Sequence, residues 1–575
     1  MRYLLTLLLL AAGCTAARAH GDSTQYLFPV RQVAGLYSAN FGELRPGHFH
    51  GGVDIKTDGA VGKELVAVAD GYVSRLSVAP GGYGRALYIT LRNGHTAVYG
   101  HILRFRDDLE QRVDAERRRT RRNSVNLWFR PDEFPVAQGD VVARSGNSGS
   151  SFGPHLHFEL RQTSTQRTLN TVRMGIIRPE DHIAPLMLGL RYAEVDTLDG
   201  IPVHGPLRSF ELKKTADGCY RTAAAGPLEV GPRGYFVIEA SDRRDGVYNR
   251  FGLYRVSLDI DGERRFEYRM DGFTFDRSRS CDAVSCYPLQ SGARAEVLRL
   301  ARLEGAPAEF YPTLRERGLV RVAPGSTHHV RIEAEDDCGN VSTLEFDIRG
   351  GDARLRPERD TTAVAVRRNR DTQLRIGDEA TLRIPAGALH ESLFARPVRL
   401  DNPATGSGTV AVLSPAYRFL DSDTPLAGEV MLSLQLFVPE QTAPHVTLAV
   451  RNRRGKLVRL GGTYNAGRLT ARIRTAGEWL AVADTVPPTV RPLFTPGGDL
   501  SRSGALRFRL GDNFSGIASY DLYVDGEWVP CDRYPMQGTL EYHFAGAPTH
   551  AEHSVLLVVK DGCNNETRWE GTFRR

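Results

Sequence analysis

The chain has 575 residues, 41% of them hydrophobic and 25% charged, with a formal net charge of +6 at pH 7. That length exceeds one ordinary domain and predicts about three to five. The composition is that of a globular protein with no low-complexity tract, and the positive excess is mild and spread out, which favours solvated surface over a nucleic-acid interface.

In chain order, Met1-Arg2 is followed by an apolar run from Tyr3 to Ala12 and then by Ala17-Arg18-Ala19. A short charged start, an apolar core and an A-x-A site make residues 1–19 a secretory signal, too short to span a bilayer. Leu10-Ala11-Ala12-Gly13-Cys14 also fits a lipoprotein signal. Cleavage after Ala19 is preferred; a membrane association follows only if Cys14 is lipidated. No later segment is long and apolar enough for a transmembrane helix. Export predicts disulfides, first Cys531 with Cys563, then Cys281 with Cys286 and Cys219 with Cys338.

Residues 20–190 carry the chemistry. His50-Gly51-Gly52-Val53-Asp54 flanks a glycine pair with an imidazole and a carboxylate, so the backbone can fold close to an ion before entering a strand. Glu64 to Val73 reads as strand, turn, strand. Arg85 to Arg92 alternates, Asn93-Gly94 is a two-residue hairpin signal, and His95 to Tyr99 is the return strand that carries His101 towards the other motifs. Phe105 to Arg122 is charged and helix-prone; its arginine-rich end, Glu116 to Arg122, is a solvated face or a grip on an anionic polymer. The Gly/Ser loop from Ser145 to Pro154 leads into His155-Leu156-His157-Phe158-Glu159-Leu160, whose period of two puts both histidines and Glu159 on one face and Leu156, Phe158 and Leu160 into a core.

These segments suit a catalytic zinc site, which needs three N/O ligands and an open position; structural zinc sites are usually Cys-rich, and no Cys lies near. His50, Asp54 and His157 are the preferred ligands, with His48 a rival to His50 and His155 beside the metal. Arg45 could hold a substrate carboxylate or form a salt bridge within the domain, and Tyr99 is a second candidate substrate contact.

His50-Gly51-Gly52-Val53-Asp54, Tyr99-Gly100-His101 and the run Gly146-Asn147-Ser148-Gly149 to Gly153-Pro154-His155-Leu156-His157-Phe158-Glu159 resemble the lysostaphin-type (LytM-like) zinc peptidases of the duplicated-hybrid-motif fold. The resemblance covers roughly Tyr26 to Pro185, with a departure in the long insert between His101 and Phe134. It implies one zinc per chain on His50, Asp54 and His157, His101 and His155 as catalytic histidines, and hydrolysis of peptidoglycan cross-link peptides in the periplasm or cell envelope. The alternative is a non-hydrolytic, peptidoglycan-binding regulator that activates another hydrolase; the complete ligand set argues against it.

From 191 onward, alternating strands and Gly/Pro/Asp turns predict β-sandwiches, so the fold class is all-β, multidomain and mostly antiparallel. Phe251 to Glu263 matches Ile517 to Glu527, and His329 to Asn340 matches His553 to Asn564. Two immunoglobulin-like sandwiches, 191–350 (with an insert including a helix-prone Ala293 to Leu303) and 487–575, account for this repeat. Between them, 351–486 is strand-rich, and Thr381 to Leu389 resembles the entry of ZU-type sandwiches. These modules are expected to be spacers or surfaces for other envelope proteins.

Overall fold

The structure, a computed structural model, describes residues 26–575 apart from 217, 291, 292, 294, 353, 402–409 and 453. The signal segment 1–19 and Cys14 lie outside the described residues. The described chain is nearly all β, and no helix in it is long and apolar enough to cross a membrane.

The alternation at His155 builds the strand His155–Gln162, the centre of an antiparallel sheet. Val53–Lys56 pairs with it on one side and His95–Gly100 on the other, followed outward by Arg85–Leu91 and Gly71–Val78. The hairpin forms, but through a three-residue loop, Arg92-Asn93-Gly94, in place of the expected two-residue turn, with Gly94 at φ +82°. Leu156, Phe158 and Leu160 are fully buried beneath the sheet. Gly52 allows a close approach of two strands, because a Cβ there would stand 2.3 Å from the Phe158 carbonyl oxygen. Glu64–Val66, Val141–Ser145 and Ile102–Phe105 form a separate three-stranded sheet.

The helix-prone insert becomes a helix, Asp107–Thr120, with acids in its first turn and arginines in its last, matching the helix dipole. Its arginine run is divided. Arg119 is exposed and pairs with Glu116 at 2.6 Å, whereas Arg117 is buried against the terminal module. There Arg117 meets Asp532 Oδ1 at 3.0 Å, and Arg85 meets Asp532 Oδ2 at 3.2 Å. Asn123 adds hydrogen bonds to the Tyr520 carbonyl at 2.9 Å and from the Cys531 amide at 2.9 Å. The insert is therefore a docking platform for residues 487–575.

The later modules are two-sheet sandwiches. Strands of 186–350 form six- and eight-stranded sheets, those of 351–486 mainly five- and six-stranded ones, and those of 487–575 two four-stranded sheets. One buried apolar cluster runs continuously from Val30 to Ile348, so packing does not stop at residue 190. Gly272–Phe273 even extends the central sheet through Thr168–Leu169.

Three expectations are corrected. Of the expected helix Ala293 to Leu303, residues 295–303 are not helical: Glu296–Arg299 pairs with Arg233–Ser241, because a ladder and a buried face override local propensity. The disulfides do not form: Cys281, Cys286, Cys338, Cys531 and Cys563 are thiols. Cys281 and Cys286 pack into different apolar clusters, and Cys531 lies against Asn123. The second repeat is shifted by one residue, since Asp261 and Asp525 accept from the amides of His329 and Ser554, both at 2.8 Å. His328, not His329, is thus the counterpart of His553.

Asp532 generates a stability prediction. Burial opposes its ionisation, but Arg117 and Arg85 outweigh burial and hold the carboxyl below its ordinary range. A depressed folded value contributes stability that is complete above the unfolded pKa of about 4 and is lost as pH falls through the folded one. Asp532→Asn should cost about 3–5 kcal/mol near neutral pH, because it leaves Arg117 buried without its close anion and Arg85 with Glu110 alone. It should also flatten the acid limb of the stability curve, both read from denaturant midpoints across pH.

Candidate metal and catalytic centre

The ladder register assembles the centre. His157 lies opposite Asp54 across one ladder and opposite Gly100 across the other, one residue before His101. His50 enters from the turn before Val53–Lys56. His50 Nε2 stands 3.1 Å from Asp54 Oδ1 and 3.0 Å from His157 Nδ1, and His157 Nδ1 stands 2.9 Å from Asp54 Oδ1. All three residues are buried.

The outer nitrogens decide the tautomers. His50 Nδ1–H donates to the Asn40 carbonyl at 2.7 Å, and His157 Nε2–H donates to Glu159 Oε1 at 2.8 Å. The inner Nε2 and Nδ1 are then lone pairs turned towards each other and towards an anionic oxygen. Three acceptors in mutual contact repel unless a cation sits among them, so the donor set fits a metal of the imidazole-and-carboxylate kind. The field agrees. Burial disfavours a charged His157, but hydrogen bonds to Asp54 and Glu159 outweigh it and push the ring up to about 9. His50, dominated by burial, is pushed down to about 4. A metal ion would take the place of the proton at His157 Nδ1 while Nε2–H stays on Glu159.

Two further imidazoles flank the donors. His155 Nε2 is 3.6 Å from Asp54 Oδ1, with Nδ1–H donating to the Gly153 carbonyl at 2.8 Å. The His101 ring lies 4.7 Å from that of His155, and its Nδ1–H donates to the Ser148 carbonyl at 2.8 Å. His101 has φ +59°, a left-handed value that side chains adopt at a cost; its amide, bonded to the Tyr83 carbonyl at 2.8 Å, holds it there. Burial first, then His155 and His157, push His101 down to about 3.

The structure brings together His50, Asp54, His101, His155 and His157. It leaves out His48, which is exposed and turned onto the Pro46 carbonyl at 3.2 Å. Tyr99 is corrected as a substrate contact: it is fully buried, and its hydroxyl donates to the Val66 carbonyl at 2.8 Å and accepts from the Val68 amide at 3.2 Å. Arg45 forms the salt bridge, to Asp54 Oδ2 at 2.9 Å and Glu43 at 3.2 Å, and so orients the carboxylate of the donor set.

Sequence reading missed the supports. Tyr83 donates to Glu159, and Arg161 Nε donates to Glu159 Oε2 at 2.7 Å. Asn40 is clamped by two hydrogen bonds to the Gly252 backbone, both 2.9 Å, so the first sandwich fixes the partner of His50. Phe275 of that module stacks under Arg161 at 4.3 Å. Glu159 and Arg161 were legible on the face of the His155 strand; Asn40 and Gly252 had no local signal. A cavity of about 1140 Å³, lined by residues such as Tyr26, Met174 and Arg178, lies away from the histidines.

A protein described as an "Uncharacterized metalloprotease" from Haemophilus influenzae is 33% identical over 120 residues, 20% of this chain and 19% of that one. The chain thus spans about a fifth of the length of the curated relative it matches. Among solved structures, the catalytic domain of the prophage-encoded M23 protein EnpA from Enterococcus faecalis is 26% identical, covering 22% of this chain and 80% of that one, with a TM-score of 0.16. The catalytic domain of the antimicrobial peptidase lysostaphin from Staphylococcus simulans is 20% identical, covering 24% and 90%, with a TM-score of 0.18. A family profile described as "Zu5-like domain" matches residues 367–484. The N-terminal unit is similar to lysostaphin-type metallopeptidases, over part of the chain.

Two variants test the roles argued from geometry. Glu159→Gln removes the anion that orients His157 and should weaken divalent-metal affinity about 10- to 100-fold, measured by competition with a chromogenic chelator. Tyr99→Phe should leave metal affinity unchanged and cost about 1–3 kcal/mol of stability by orphaning two backbone groups, measured by denaturation.

Proposed function

We propose that the N-terminal unit is a zinc metalloendopeptidase that hydrolyses amide bonds in the cross-link peptides of peptidoglycan, and that the chain is exported to the periplasm or cell envelope for wall remodelling. One observation carries the reading: the converging donors of His50, Asp54 and His157 lie beside two imidazoles, His101 and His155, that take no part in the donor set. Zinc on those donors supplies Lewis acidity to a water and a substrate carbonyl.

The chain's own groups do the rest. With Nδ1–H held on the Gly153 and Ser148 carbonyls, His155 and His101 both present a bare Nε2. Either can accept a proton from the attacking water. The positive charge that results is better tolerated on His155, the more exposed of the two, so His155 is the base. Its imidazolium then donates to the leaving amine. His101, more deeply buried, orients the water by accepting its hydrogen bond. The Gly/Ser loop forms the rim, with Phe152, 86% exposed, available to an incoming peptide. The sandwich modules present surfaces to the wall or to other envelope proteins.

Digestion of purified cell walls, with and without chelator, tests the activity. Cut peptides with new amino and carboxyl ends on intact glycan strands are expected; shortened glycans or released whole stem peptides would overturn the assignment. Binding without cleavage would mark a regulator instead. His50→Ala and Asp54→Ala should lose zinc by elemental analysis. His155→Ala should keep it and lose about a hundred- to ten-thousand-fold in turnover.

A further inference from the structure

Asp181, Asp242 and Asp336 bring one carboxylate oxygen each to within 4.8 Å of one another, far from the histidines in sequence. Asp242 is 0% exposed, and neither of its carboxylate oxygens has a hydrogen-bond partner; Asp181 Oδ2 is buried and unpartnered too. Asp336 is oriented by its own turn. Its Oδ1 accepts from the amides of Cys338, Gly339 and Asn340 at 2.8, 2.6 and 2.9 Å, and its Oδ2 from Asn340 Nδ2 at 2.8 Å. The nearest cation, Arg244, does not satisfy the cluster: its Nε is 4.0 Å from Asp181 Oδ2 and its Nη2 is spent on Asp337.

An unpaired buried carboxylate is costly, and here it faces two more. The donors are all oxygens and anionic, the set that hard divalent cations take and that zinc, with its taste for imidazole and thiolate, does not require. We propose that Asp181, Asp242 and Asp336 form a second metal site, for a calcium-type divalent cation, that pins the linker entering the first sandwich to the strand Arg233–Ser241 and to the turn before Val341–Gly350.

The same device recurs in the terminal module. Asp484, Asp512 and Asp561 also converge within 4.8 Å. Asp561 Oδ1 accepts from the Cys563 and Asn565 amides at 2.8 and 2.9 Å, and Asn565 Nδ2 reaches the Asp484 carbonyl at 2.8 Å, as Asn340 Nδ2 reaches that of Asp181 at 3.1 Å. Asp512 follows its strand as Asp242 follows its own, and Asp512 Oδ1 is buried without a partner. Two modules that differ in length and in most side chains thus keep three acids at one junction. Backbone amides already feed Asp484 and Asp512, so the unmet demand is greater at the first site.

The test uses the full exported chain, stripped with chelator and dialysed. Equilibrium dialysis with radioactive calcium should find binding at sub-millimolar to millimolar free ion, and Asp242→Asn should bind one equivalent fewer than wild type. Calcium should raise the wild-type melting temperature by about 2–4 °C at saturation. In chelator, Asp242→Asn should melt at or above wild type, since one of three repelling charges is gone, and should gain nothing from calcium at that site. His50→Ala should keep the wild-type calcium count. No calcium binding by wild type, an unchanged count in Asp242→Asn, or loss of the count in His50→Ala would each overturn the proposal. A melt that responds to pH but not to calcium would do the same, by showing a proton in the cation's place. If Asp242→Asn does not fold, Asp181→Asn takes its place in the count.

Discussion

The register of two ladders governs this molecule. His155–Gln162 is hydrogen-bonded to Val53–Lys56 and to His95–Gly100, and a slip of one residue in either would turn His157 to the other face of the sheet. The slip is prevented by what lies beneath. Leu156, Phe158 and Leu160 are fully buried on the opposite face, and Gly52 packs against the Phe158 carbonyl too closely to admit any side chain. A hydrophobic core thus sets the relative positions of polar groups on the other face of the sheet.

The polar groups then obey a single rule, that buried charge must meet its opposite. At the histidine centre, three acceptors face one another and Arg45, Glu159 and Arg161 orient or balance them. At the insert, Arg85 and Arg117 share one aspartate from a module more than 400 residues away, and Glu110 supplies Arg85 with a second anion. The two aspartate triads at the module entrances follow the same rule with anions in excess. In each place the geometry is tight because the unpaired alternative is expensive.

The modules are not beads on a string. The first sandwich shares a core with the N-terminal unit and holds Asn40, and through it His50, by the backbone of Gly252. The terminal module reaches back across the chain, so that Gln537 Nε2 donates to the Ser151 carbonyl at 3.3 Å on the loop before His155. Cleft and modules therefore form one surface, and its shape is set jointly by segments distant in sequence.

Much of this was legible beforehand where the signal was local. Alternation at His155, the Asn93-Gly94 turn signal and the glycine pair at 51–52 each act over a few residues, and they predicted the strands, the hairpin and the convergence of His50, Asp54 and His157. The charged helix after Phe105 was likewise readable from composition. Only the tertiary structure decided the rest, because the deciding contacts join residues hundreds apart. It sent Tyr99 into the core, tied Arg45 to Asp54, and made Glu296–Arg299 a strand by giving it a partner. It left Cys281, Cys286, Cys338, Cys531 and Cys563 as thiols. It turned part of an arginine run from solvent into a docking site. Most of all, it gathered Asp181, Asp242 and Asp336, three unremarkable acids in the sequence, at one buried point, where burial gives each carboxylate a demand that no stretch of sequence alone reveals.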